Sequence, residues 1–129
     1  MKLHTPIEIL TTAAALIERN GWGQGKDVET SPRGVGCPTC ANLALGDAAR
    51  QPHGVLGPNY RPYLQAQVAL LKYLKIDIGL VLLGQTVHGS LIVNWNDAPE
   101  RTAAEVVAAL RGAANALMVE TLATEAAHA

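Results

Sequence analysis

Apolar positions first recur at helical spacing over residues 7–17. Ile7, Leu10, Ala14 and Ile17 share one face, widened by Ile9, Ala13 and Leu16. Thr5-Pro6-Ile7-Glu8 supplies a start signal, because the Thr5 hydroxyl can accept from the Glu8 amide while the Glu8 carboxylate reaches back. Pro6 stands at the first helical position, where its missing N–H removes no bond. Asn20-Gly21 supplies the stop, since Gly takes the left-handed conformation that ends helices.

The periodicity lapses over residues 21–38, "GWGQGKDVETSPRGVGCP", a loop with five Gly and two Pro that is long for a compact domain. It resumes over residues 39–50 and again over 61–75, where Tyr63, Leu64, Val68, Leu71 and Leu74 make a broad stripe. Pro52, His53, Gly54, Gly57 and Pro58 break the chain between them. A second capping box, Thr102-Ala103-Ala104-Glu105, opens a last helix striped with Val106, Val107, Leu110, Ala114, Leu117 and Met118. That helix is expected to fray near its final residues.

Residues 76–95 are ambiguous. "IDIGLVLL" and "SLIVNW" are too short for periodicity to separate strand from buried helix. Joined by "GQTVHG", they read as a two-stranded hairpin around 80–95 rather than as a buried helix followed by a strand. The expected fold is therefore mainly α, with about four helices in one small bundle-like domain over residues 1–129 and that hairpin added.

Composition narrows the function classes. The 129 residues suffice to bury a core without disulfides or metal, and that core must be aliphatic because there is no Phe. A net charge of −1 gives no global attraction to nucleic acid or to an acidic membrane. Tyr60, Tyr63 and Tyr73 beside Arg61, Lys72 and Lys75 could carry single strands, but those charges read better as the solvated face of the third helix. No signal-peptide pattern opens the chain, and the run Ile78 to Leu83 is far short of the ~20 apolar residues that cross a bilayer. With two Cys, the expectation is a cytoplasmic protein with reduced thiols.

Three stretches carry candidate chemistry. Trp95-Asn96-Asp97-Ala98-Pro99 reads first as a junction: an aromatic anchor, two turn formers and a Pro that delays the next helix. In the other reading it forms a ligand or partner site in which Trp22, Gln24, Trp95, Asn96, Asp97 and Arg101 line a cleft. "GWGQG" resembles a phosphate-cradling loop only in its glycines, since such loops follow a strand and open a helix. Cys37-Pro38-Thr39-Cys40 is a C-x-x-C pair at a helix start, where the amides favour a thiolate. Redox chemistry would want a βαβ setting that this helical pattern lacks. Zinc would require Cys37 and Cys40 to recruit His53 and His88, at spacings that match no finger template. Two half-buried thiols packing a helix start is the simplest reading.

"GWGQG", "CANLALGDAA" and "IVNWNDAPERTAAEVVAALR", in that order, resemble an uncharacterised family of small actinobacterial and actinophage proteins with G-W-x-Q-G, C-A and W-N-D-A-P-x-R-T motifs. The likeness is strongest at residues 91–111 and weakest at 52–90. Only Cys40 stands where the family has its Cys. The resemblance implies an intracellular, actinobacterial or phage context and no chemistry.

The expected function is a non-enzymatic protein-interaction domain. If phage-encoded, as the resemblance allows, it would bind and modulate a host protein. Two alternatives stay open: a metal- or thiol-dependent protein built on Cys37 and Cys40, and a small-ligand module using the 21–25 and 94–101 loops. No cofactor, nucleic acid or membrane partner is expected. The aliphatic stripes exceed what one small core requires, so pairing of the last helix with its copy in a homodimer is also open.

Overall fold

The computed structural model describes residues 3–25, 28, 38–51, 54–78 and 85–128. Cys37 and His53, with residues 26, 27, 29–36, 52 and 79–84, lie outside the described residues. Among the described residues, five α-helices run in chain order: α1 Pro6–Asn20, α2 Ala41–Arg50, α3 Tyr60–Tyr73, α4 Gln85–Asn96 and α5 Ala103–Ala127. A 3-10 turn, Gly57–Asn59, leads into α3.

Both expected capping boxes form. The Thr5 hydroxyl accepts from Glu8 N at 3.1 Å while Thr5 N donates to the Glu8 carboxylate at 3.2 Å. Thr102 and Glu105 repeat the arrangement at 3.2 and 3.0 Å. Each box satisfies two amides that the first helical turn leaves unpaired, worth about 1 kcal/mol for the cap residue. Gly21 then ends α1 at φ +96°, donating its N–H to Ile17 O at 2.8 Å.

α1 lies at the centre. Its buried face, Ile9, Leu10, Ala13, Ala14, Leu16 and Ile17, packs against α2, α3 and α5. The partners present small residues there, Ala44, Ala48 and Ala49 from α2 and Ala109, Ala113 and Ala114 from α5, so the helices approach closely. Larger side chains, Leu45, Leu70, Leu71, Ile92, Val106 and Leu110, fill the spaces between them. At Gly112 of α5 the half-exposed Tyr73 ring of α3 lies where a Cβ would stand, so a side chain there would have to displace the phenol.

Three expectations change. Residues 85–96 form α4, so the hairpin around 80–95 is replaced by a helix there, and no strand occurs among the described residues. The buried positions of α4 are His88, Gly89, Ile92 and Asn96, one helical face of mostly polar or small residues. Hydropathy registers the consecutive run Leu91-Ile92-Val93 instead, which mimics a buried strand. The buried face of α3 is Tyr63, Ala66, Gln67, Leu70 and Leu71, which leaves the expected Leu64, Val68 and Leu74 half-buried. In α5, which runs to Ala127, Met118 belongs to the exposed surface rather than to the core stripe.

Candidate functional site

The three motif stretches meet at one buried side chain, Asn96, the last residue of α4. Its Oδ1 accepts from the Trp22 indole Nε1 at 2.7 Å and from Ala41 N at 3.0 Å. Its Nδ2 donates to Gly23 O at 3.1 Å and to Asp97 Oδ1 at 3.0 Å. Both acceptor positions and both donor hydrogens of the amide are thereby used. One side chain thus ties "GWGQG", the first amide of α2 and the α4–α5 corner together.

The neighbours complete this clasp by capping helix ends. Gln24 Nε2 donates to Asn96 O and Ala98 O, both at 2.9 Å, and Arg101 Nε donates to Trp95 O at 3.0 Å. Trp95 O and Asn96 O belong to the last turn of α4, which lacks i+4 donors within the helix, and Ala98 O lies in the turn just beyond it. Asp97 Oδ1 also accepts from Gly25 N at 3.2 Å, where φ +48° suits glycine. The Arg101 guanidinium lies 4.2 Å over the Trp95 ring and pairs with Glu105 at 3.3 Å. A short parallel bridge between Trp22 and Thr39, with Gly23 N to Thr39 O at 3.1 Å and Thr39 N to Gly21 O at 3.0 Å, holds the first loop against the start of α2.

All six residues expected at a binding site, Trp22, Gln24, Trp95, Asn96, Asp97 and Arg101, therefore gather in one place. Their polar groups bond to one another and to the backbone. The two tryptophans join through Asn96, the residue that follows Trp95 in the chain. This is the geometry of the junction reading: a cap for α4, an anchor for the first loop and a start for α5.

Of the thiol and metal candidates, Cys40 and His88 are described. Cys40 is the buried N-cap of α2, its Sγ accepting from Leu43 N at 3.5 Å. His88 is 3% exposed and neither ring nitrogen has a hydrogen-bond partner among the described residues. Burial lowers its pKa below the ordinary imidazole value, so the ring is held neutral. Among the described residues no three His, Cys, Asp or Glu side chains gather as a metal site would require.

A polar tract that the sequence reading missed runs from α3 to the start of α2. Gln67, fully buried, donates through Nε2 to Asn42 Oδ1 at 2.9 Å and to Tyr63 Oη at 3.0 Å. Asn42 in turn lies against Gly89 of α4, where an added Cβ would stand 3.0 Å from its amide nitrogen. Burial raises the Tyr63 pKa, opposed in part by Arg50. One signal was available: Gln67 follows Tyr63 by four residues, which places an amide in the middle of the apolar face.

The remaining feature is the second half of α5. Its buried residues end at Ala114, and Leu117 is partly covered by the core. Met118, Val119 and Leu122 are 45%, 59% and 58% exposed, in a segment exposed from Met118 to His128. Glu120 pairs with Lys72 of α3 at 3.3 Å, and Arg111 bonds both carboxylate oxygens of Glu18 on α1. By length and composition alone α5 is apolar enough to cross a membrane.

The chain belongs to the family of unknown function DUF6197, whose profile matches residues 1–116. No curated protein and no solved structure matches it. The matched region contains the whole clasp and stops just before Met118.

Proposed function

We propose that this chain is a non-enzymatic protein-interaction domain whose contact element is the outward face of α5 beyond Asn115. The observation that carries this reading is the exposure of Met118, Val119 and Leu122 together on one helical face. Three large apolar side chains at that spacing form the kind of patch through which a helix docks against protein. The residues with the most chemical character, in the clasp, are already engaged in joining helices, which supports an interaction role over catalysis there.

A protein contact also fits the surroundings better than lipid. Arg111, Glu120 and Glu125 are spaced along the same helix, and charges at such depth in a bilayer are expensive. A cytoplasmic setting accords with this reading, as does a cellular partner protein. The patch lies just beyond the matched residues 1–116.

Site-specific photocrosslinking tests the proposal. A photoreactive residue at Leu122 is expected to give discrete protein adducts in the producing cells, whereas one at the exposed Arg61 on α3 is not. Val119→Glu with Leu122→Glu should abolish the adducts of a probe at Met118 and leave the helical circular dichroism unchanged. Absence of any protein adduct at Leu122, at all expression levels, would overturn the reading.

A further inference from the structure

We infer that the partner of this face is a second copy of the chain, with the two α5 helices crossing antiparallel about a two-fold axis at Met118. The inference rests on the interaction reading above and adds to it the identity and orientation of the partner. It follows from three residues in one row. Arg111, Met118 and Glu125 are spaced by seven, about two helical turns each, so they run in line along the exposed surface of α5.

That row is self-complementary in only one direction. When two copies cross antiparallel at Met118, Arg111 of each comes beside Glu125 of the other, and two ion pairs flank the apolar centre. A parallel pair in the same register sets Arg111 against Arg111 and Glu125 against Glu125. The same crossing brings Met118 and Val119 of the two copies together and places Leu122 against the short Asn115. Isologous contact of this kind closes on itself and leaves no face for further growth.

The intrachain partner of Arg111 does not compete with this arrangement. A guanidinium carries five N–H donors and Glu18 engages two of its nitrogens, which fixes the group at the edge of the stripe with donors left over. Beyond Arg111 the helix carries two carboxylates, Glu120 and Glu125, and no Lys or Arg. Glu120 is turned to Lys72 on the domain side. Among the described residues Glu125 alone of the two has no intrachain cation beside it, and the row offers one from the second copy.

The contact is small. The exposed part of α5 is thirteen residues, Asn115 to Ala127, against the ~20–30 residues a side of a standard stable interface. The dimer is therefore concentration-dependent.

Disulfide trapping of the full chain decides it. In the antiparallel pair Met118→Cys meets its own copy at the axis, whereas two Leu122→Cys residues lie eight positions apart, about 12 Å along the helices, beyond the ~7 Å limit for bridging. Met118→Cys should form a covalent dimer readily and Leu122→Cys should not, with the unaltered chain as control for Cys37 and Cys40. Sedimentation equilibrium supplies the second readout. Glu125→Arg is expected to weaken the dimer about tenfold, and adding Arg111→Glu together with Glu18→Arg, which keeps the intrachain pair, should restore it. Equal trapping at both positions would establish a parallel pair and overturn the orientation. A monomer at every concentration would overturn the second copy as partner. In that case adducts to a different protein from Leu122 would still uphold the interaction domain.

Discussion

Removal of the Asn96 side chain should be among the most damaging single changes to this fold. In Asn96→Ala, the Trp22 Nε1–H and the Ala41 N–H lose their acceptor and Gly23 O loses a donor. An orphaned buried group of this kind costs ~1–3 kcal/mol. Trp22 is half-buried, so water can relieve part of its loss, whereas Ala41 is fully buried and cannot be relieved. The sum is about 3–5 kcal/mol, against total stabilities of ~5–15 kcal/mol for domains of this size. Urea unfolding followed by far-ultraviolet circular dichroism measures it, as a lower midpoint at unchanged slope. The isosteric Asn96→Asp separates bonding from volume. One of its oxygens keeps accepting, while the other confronts the Gly23 carbonyl and the Asp97 carboxylate. Burial and the Asp97 carboxylate raise the new carboxyl's pKa, so the loss should shrink as pH falls towards the unfolded value of about 4, where a protonated carboxyl donates again. A loss under about 1 kcal/mol for Asn96→Ala, the value of one ordinary hydrogen bond, would refute the clasp as a structural keystone.

Two further predictions concern single side chains. His88 resists protonation in the fold, so the unfolded chain binds the extra proton first, and stability should fall as pH drops through the unfolded value of about 6.5. Comparing urea midpoints at high and low pH for the native chain and His88→Leu isolates this effect, and equal pH dependence in both would remove it. At the start of α2, Cys40→Ala should lose about 1 kcal/mol of capping, while Cys40→Ser keeps an acceptor for Leu43 N and loses less. Identical thermal shifts for the two variants would rule out the thiol as a cap.

The readable parts of this fold are those where local chemistry and packing agree. Thr5, Pro6, Glu8 and Gly21 define α1 by themselves, and Thr102 with Glu105 does the same for the start of α5. α4 was illegible because its buried face is His88, Gly89, Ile92 and Asn96, and hydropathy counts three of those positions against burial. Tertiary hydrogen bonding, rather than apolar area, makes Asn96 an interior residue. The clasp was half-legible: its six named side chains share motifs, but nothing local says that Asn96 accepts from Ala41 N, fifty-five residues earlier. Gln67 illustrates the converse, a polar residue on an apolar stripe that marks an internal hydrogen-bond tract with Tyr63 and Asn42.

The placement of the two tryptophans has a spectroscopic consequence. Trp22 and Trp95 are the only indoles in the chain, there is no Phe, and both rings sit in the clasp. Intrinsic emission therefore reports the corner between α4 and α5 and nothing of the outward end of α5. Pairing at Met118 should pass almost unnoticed in fluorescence, while loosening of the first loop would shift emission before any helix melts. An emission change that precedes the loss of helical ellipticity would signal a clasp that opens ahead of the bundle it holds.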